Sequence, residues 1–182
     1  IFVVAMTNDT FPLYHNQPKS FSDVTVSWGI AAATARYTAW GNGIADFDND
    51  GFKDLFAARA SILDNSEVID RLPSKLPNQV LRNTGRKRFV DVSATAGSSF
   101  AVPQAHRGAA LGDFDNDGRI DVVVTNQNAL PDLFLNRSPA PNHWLKVKLT
   151  GTRSNRDGLG ARLELTPAGS APIYNHASTS TG

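Results

Sequence analysis

Short apolar runs alternate with clusters of Gly, Asn, Asp and Pro along most of this 182-residue chain. The runs are rich in β-branched and aromatic residues, and none keeps an apolar period of 3.6 residues over three helical turns. The pattern therefore predicts an all-β fold. The predicted strands are residues 2–5, 41–45, 55–58, 80–82, 89–92, 108–112, 122–125, 132–135, 144–150 and 161–165.

An internal repeat organises these strands. Residues 41–54 (GNGIADFDNDGFKD) align with residues 108–121 (GAALGDFDNDGRID), 67 positions further on. The flanking runs also correspond, which predicts a partial unit at residues 1–20 and further units at 21–88 and 89–138, with another Asp-rich loop expected ahead of Ile1. About four strands per unit at a period of some tens of residues is typical of β-propeller blades. The polar insert 59–78 is interpreted as a surface loop with a short helical turn near 66–72.

Each repeat carries a loop with the pattern DxDxDGxxD. Alternate aspartates converge as the chain curls, and Gly at the sixth position permits the bend that turns the seventh carbonyl inward. Oxygen ligands at this spacing predict a site for a hard cation in each loop. The predicted ligands are the carboxylates of Asp46, Asp48, Asp50, Asp54, Asp113, Asp115, Asp117 and Asp121, and the backbone carbonyls of Phe52 and Arg119.

Two other interpretations of these loops are open. One is an Asx-rich turn without a metal, but repetition at corresponding places disfavours it. The other is an EF-hand, whose twelfth position is a bidentate Glu. Ala57 and Val124 stand there instead, and strands flank the loops. All-oxygen ligation favours Ca²⁺ over Zn²⁺, with Mg²⁺ as the weaker alternative.

Composition narrows the function further. The chain has no cysteine, so disulfides, thiolate metal sites and a Cys nucleophile are excluded. The eight loop aspartates are almost half of the 17 acidic residues, whereas Lys and Arg number 18, so the remaining surface is moderately cationic. An anionic partner such as an acidic polysaccharide is one interpretation, and ordinary solubility is the other. No apolar run predicts a membrane span, and nothing indicates nucleic-acid binding.

The repeats resemble the FG-GAP/VCBS repeat of integrin α-like propellers, and residues 142–162 resemble the start of an ASPIC/UnbV domain, as in the cartilage acidic protein family. The resemblance implies β-propeller blades of a partial propeller at 1–138. It implies a small β-rich module at 139–182, for which we expect a flexible tail from residue 166. It also implies an extracellular or cell-surface location, with any signal peptide outside this chain, and Ca²⁺ in both Asp loops.

A binding module is favoured over an enzyme. The four histidines are scattered, and only His106 lies near an Asp loop, so no nucleophile and base are predicted within reach of each other. The predicted role is Ca²⁺-stabilised adhesion or cell-surface and matrix assembly with a protein or glycan ligand. The alternatives are a Ca²⁺-assisted polysaccharide lyase or hydrolase, and a self-assembling filament subunit. A further set of residues is interpreted either as a ligand or interdomain contact or as a salt-bridged hairpin turn: Arg153, Asn155, Arg156 and Asp157.

Overall fold

The structure is a computed structural model that describes residues 1–69, 71–139, 142–169 and 171–178. Strands make up most of the regular structure in this part of the chain. They are β1 (Tyr14–Asn16), β2 (Phe21–Asp23), β3 (Ala39–Ala45), β4 (Asp54–Arg59), β5 (Gln79–Asn83), β6 (Phe89–Asp91), β7 (His106–Gly112), β8 (Asp121–Asn126), β9 (Ala129–Phe134), β10 (Arg162–Leu165) and β11 (Ile173–His176). The short α-helices are α1 (Ile30–Thr34) and α2 (Ser66–Ile69), and Ser93–Thr95 form a turn of 3-10 helix.

The strands form antiparallel sheets in sequence order. One sheet has the order β3-β4-β5-β6 and the next has the order β7-β8-β9, while β1-β2 and β10-β11 are two-stranded pairs. Each strand of a sheet pairs with its neighbour in sequence, as an internal repeat of hairpins requires, although the longer segment 60–78 joins β4 to β5. The all-β prediction is confirmed, and the two larger sheets are the two repeats that contain an Asp loop.

The sheet β3–β6 is covered on both faces. Leu55 and Ala57 of β4 pack in one apolar cluster with the N-terminal residues Phe2 and Phe11. The alternate residues of β4 pack in a second cluster with β8, which comprises Phe56, Ala58, Phe100, Val122 and Val124. Side chains of a strand point to opposite faces in turn, so β4 is buried along its whole length. Successive units therefore stack face to face.

The first strands of the two sheets, β3 and β7, approach closely at glycine. A Cβ atom on Gly41 would overlap the backbone nitrogen of Ala109 and lie 2.8 Å from the carbonyl oxygen of Arg107. Only glycine lets the two backbones meet here. This contact fixes the relative position of the two Asp loops, which follow β3 and β7 directly.

The sheets place the repeat boundaries differently from the sequence comparison. Phe89–Asp91, with which the third unit was predicted to begin, pairs with β5 as the last strand of the preceding sheet. Phe21–Asp23 likewise pairs with β1. Aligning the sequence with itself yields the length of the repeat but not the point at which one sheet ends. The alignment is equally good wherever the boundary between units is drawn.

Two predictions for the C-terminal module are wrong. Residues 144–150 form no strand: no strand in the described part of the chain pairs with them, and the side chains of Trp144 and Lys146 contact the second Asp loop instead. Residues 173–176, expected within a flexible tail, form β11 and pair with β10, which the contact of Arg162 with the ring of Tyr174 supports. The part of that tail at 179–182 lies outside the described residues. Helix α1 was not predicted, since its five residues are too few for a periodic signal.

Candidate metal centre

The two Asp loops occupy the same place in their sheets. Loop A, residues 46–54, joins β3 to β4, and loop B, residues 113–121, joins β7 to β8. The fourth and sixth residues of each loop have positive φ angles: 55° and 92° at Asn49 and Gly51, and 58° and 84° at Asn116 and Gly118. Asn and Gly are the residues that adopt this conformation at least cost, so the sequence itself dictates the curl.

Backbone amides orient the first aspartate of each loop. In loop A, Asp46 Oδ1 accepts from the N–H of Asp50 at 3.0 Å and Asp46 Oδ2 from that of Gly51 at 2.9 Å. Asp113 accepts the equivalent bonds from Asp117 and Gly118 at 3.0 and 3.3 Å. Backbone N–H groups of the same loop thus hold the first carboxylate in place, so an ion bound to that carboxylate would also be tied to the loop backbone.

The first three carboxylates of each loop cluster. Asp46, Asp48 and Asp50 each offer an oxygen within 4.8 Å of the others, and so do Asp113, Asp115 and Asp117. Two unit charges at this distance repel by about 3 kcal/mol at an effective dielectric constant near 20. The arrangement could hold a metal ion, which would remove this repulsion.

Asp48 provides a test of fit for such an ion. Its Oδ1 is buried and has no hydrogen-bond partner among the residues that the structure describes. Burial raises the pKa of this carboxyl, and the charges of Asp50 and Asp46 add to the effect. A buried carboxylate oxygen without a donor is costly, and a hard cation is the partner that satisfies it. The all-oxygen donor set suits Ca²⁺.

The ninth loop residues have a different set of partners. Asp54 is buried, and its two oxygens accept from the backbone N–H groups of Phe47 at 2.9 Å and Asn83 at 2.8 Å. Asp121 is equally buried and accepts from Phe114 and Asn136, both at 2.8 Å. These carboxylates tie each loop to the end of the third strand. Burial raises the pKa of Asp54 to about 7.

Metal ligation by Asp54, Asp121 and the carbonyls of Phe52 and Arg119 stays a prediction. Neither Asp54 nor Asp121 belongs to a cluster of three acidic ligands in the part of the chain that the structure describes.

Two asparagines belong to the centre although sequence reasoning gave them no role. The amide of Asn83 donates to the carbonyl of Lys53 at 3.1 Å, closing loop A. Asn136 donates to the carbonyl of Ile120 at 3.2 Å and also to that of Phe47 at 2.7 Å, which links loop A to the neighbouring sheet. The available signal was the recurrence of Asn at the end of the third strand in each unit.

Cationic side chains surround loop B more closely than loop A. Arg137 Nη1 lies 2.9 Å from both Asp115 Oδ2 and Asp117 Oδ2. Lys146 Nζ lies 3.3 Å from Asp113 Oδ2, and Arg119 lies 2.9 Å from Asp117. The backbone N–H of Arg119 lowers the pKa of Asp117, and the charges of Arg119 and Arg137 contribute.

Around loop A, Arg82 is the only ion-pair partner among the described residues, at 4.0 Å from Asp48 Oδ2.

The remaining candidates lie apart from the metal centre. His106 is buried at the start of β7, and its Nδ1 bonds the side-chain oxygen of Asn126 at 2.7 Å. Residues 153–157 lie in a turn that Asn155 closes by accepting from the N–H of Leu159 at 2.6 Å. None of the helices in the described part of the chain has the length and apolarity to cross a membrane.

Comparison with known proteins agrees with the repeat. A sequence model of the FG-GAP-like repeat matches residues 66–124, which include loop B. The chain is 43% identical over 63 residues to cartilage acidic protein 1 of Mus musculus and of Homo sapiens, and 42% identical over 59 residues to that of Xenopus tropicalis. These alignments cover 34%, 34% and 32% of the chain and 9% of each relative. Residues 66–124 are therefore similar to the FG-GAP-like repeat, and about a third of the chain is similar to cartilage acidic protein 1.

Proposed function

We propose that this chain is a Ca²⁺-binding repeat module of an extracellular protein, in which the ions are structural. The observation that carries the proposal is a pair of three-carboxylate clusters at equivalent places in consecutive sheets. In one of them a buried oxygen of Asp48 has no hydrogen-bond partner in the described part of the chain. A turn that binds no metal gains nothing from three clustered carboxylates, so the same cluster in two loops favours metal binding.

Contacts within the chain explain how a bound ion would make the Asp loops rigid. Asp46 and Asp113 are held by backbone amides, so an ion that they ligate fixes the loop backbone. Loop A contacts the next sheet through the bond from Asn136 to the Phe47 carbonyl. A Ca²⁺ ion would supply the positive charge that brings the carboxylates of one loop together. Order in loop A would therefore support the packing between the two sheets.

An extracellular binding role is the part of the proposal that the relatives support. Their name refers to cartilage and to acidity rather than to a reaction. We propose a protein or glycan ligand and a role in adhesion or in cell-surface and matrix assembly. Self-assembly and polysaccharide cleavage stay as the alternatives stated from the sequence, and neither gains a specific observation from the described residues.

Calcium is expected to raise the melting temperature of the chain. A site at a hundredfold excess of free ion over Kd contributes about 2.7 kcal/mol to the free energy of unfolding, which corresponds to roughly 5–10 °C. Replacing Asp48→Asn or Asp115→Asn should remove most of the increase that belongs to one loop. Scanning calorimetry in 1 mM-range Ca²⁺ and in chelator measures both effects.

The matched control is Asp157→Asn, which removes the same charge from an exposed turn outside both loops. It should keep the full calcium-dependent increase. Identical melting of the unsubstituted chain in calcium and in chelator would contradict the proposed function.

A further inference from the structure

The segment that follows the third unit lies across both Asp loops. We call residues 142–146 the strap. At loop A, the side-chain amide of Asn49 donates to the carbonyls of Asn142 at 2.9 Å and His143 at 3.2 Å. The side chain of Asn142 donates in return to the carbonyl of Asn49 at 2.8 Å. The strap is therefore anchored to loop A by polar contacts that leave the three carboxylates of that loop free.

At loop B the strap contacts the carboxylates themselves. Lys146 Nζ lies 3.3 Å from Asp113 Oδ2 and donates to Asn116 Oδ1 at 2.8 Å. The indole of Trp144 rests on Gly118, where a Cβ atom would overlap the ring. Strap and loops together line a cleft of about 270 Å³. The contact of the strap with loop B thus includes a charge pair that a metal ion would disrupt.

The two loops differ in how far their charge is already compensated. In loop B each clustered carboxylate has a cationic partner at 3.3 Å or less: Lys146 for Asp113, and Arg137 for Asp115 and Asp117. In loop A the nearest cationic group is Arg82 at 4.0 Å from Asp48. An ion entering loop A meets carboxylates whose charge is compensated only by Arg82 at 4.0 Å, whereas an ion entering loop B must displace closer cationic partners and is repelled by them.

We propose that loop A is the tight Ca²⁺ site and loop B the weak one, and that an ion entering loop B displaces Lys146 and Arg137 and so loosens the strap. This inference rests on the proposed function, since it presumes metal binding at both loops. It makes the contact between the repeats and the following module calcium-dependent. By thermodynamic linkage, a bound strap lowers the Ca²⁺ affinity of loop B by the same factor by which Ca²⁺ in loop B weakens the strap contact.

Calorimetric titration of Ca²⁺ into single-loop variants tests the inequality. Asp48→Asn with Asp50→Asn leaves loop B, and Asp115→Asn with Asp117→Asn leaves loop A. We expect loop A to bind at least about tenfold more tightly, a ratio that corresponds to 1.4 kcal/mol. In the variant that retains loop B, adding Arg137→Gln and Lys146→Gln should raise the Ca²⁺ affinity by about tenfold. In the variant that retains loop A, the same two substitutions should leave the Ca²⁺ affinity unchanged.

The control pair is Lys148→Gln with Arg153→Gln, which removes the same charge from exposed positions without a contact to either loop. It should leave the affinity of loop B within about twofold, because exposed charges further away are screened. Equal affinities of the two loops, or an equal gain from the control pair, would overturn the inference but not the proposed function. Binding at neither loop would overturn both.

The fluorescence of Trp144 reports the strap directly. The difference between the emission of the unsubstituted chain and that of Trp144→Phe isolates this side chain from the two other tryptophans. We expect a red shift at calcium concentrations that fill loop B, and no shift in the Asp115→Asn, Asp117→Asn variant. An emission that stays constant through saturation of loop B would overturn release of the strap.

Discussion

His106 is fully buried at the start of β7, and among the described residues only one of its ring nitrogens has a hydrogen-bond partner. The amide nitrogen of Asn126 donates to Leu130 and Asp132, both at 2.8 Å, so the oxygen of Asn126 accepts from His106 Nδ1–H. Nε2 is then the unprotonated nitrogen, for which the described part of the chain supplies no hydrogen-bond partner. Burial lowers the pKa of His106, because a proton at Nε2 would place an unpaired charge in the interior.

Acid should therefore destabilise the fold through this residue. The folded pKa lies below the ordinary value near 6.5, so the unfolded chain binds a proton first as the pH falls, and stability is lost below about pH 6.5. His106→Gln should flatten this loss by up to about 1.4 kcal/mol per pH unit. Urea unfolding at pH 7.5 and pH 5.0 and constant calcium measures it. His143→Gln, at an exposed position, is the control, and an equal acid slope in all three proteins would refute the assignment.

The loop residues show how far individual side chains follow from the sequence. The clustered aspartates and the glycines were predictable, because spacing and backbone freedom are local properties. Lys146 and Arg137 were not, since nothing near them in sequence indicates which carboxylates they meet. Asp54 has its hydrogen-bond partner Asn83 29 positions away, a relation that only the sheet creates.

Among the elements, the crossing of β3 and β7 tolerates least change. Gly41→Ala would force a methyl group into the backbone of Ala109 and Arg107, which has no rotamer to change. Overpacking of this kind costs about 1–3 kcal/mol. We expect a loss in that range for Gly41→Ala by urea unfolding.

Gly108→Ala supplies the comparison for this prediction. Its added carbon would meet only the Thr125 hydroxyl oxygen, at 3.1 Å. It should cost distinctly less than Gly41→Ala, and equal losses would show that β3 and β7 do not pack as described.

Strands of the repeats were predictable and those of the C-terminal module less so. β4 and β8 are apolar runs that each begin at an Asp, and the residues of each run are sufficient to predict a strand. Residues 144–150 alternate apolar and basic side chains like a strand, but a strand also needs a partner, and Trp144 and Lys146 contact loop B instead. The pairing of β10 with β11 depends on a tail whose Pro and Gly content masks it.

At the scale of the whole molecule, the repeat accounts for the architecture. Both sheets place an Asp loop after their first strand, and β4 is covered on both faces because units stack. Two copies of the Asp loop were sufficient to predict the length of the repeat from the sequence. The boundary between the units became known only from the pairing of Phe89–Asp91 with β5. Metal binding would neutralise the charge of each Asp loop, and in loop A it would also stabilise the packing of the two sheets through the bond from Asn136 to the Phe47 carbonyl.

Anomalous X-ray diffraction from crystals grown in millimolar calcium tests this account most directly. We expect two strong anomalous peaks, one among Asp46, Asp48 and Asp50 and the other among Asp113, Asp115 and Asp117. The peak in loop A should persist at lower calcium than the peak in loop B. Ordered water without an anomalous signal at both loops would contradict the account.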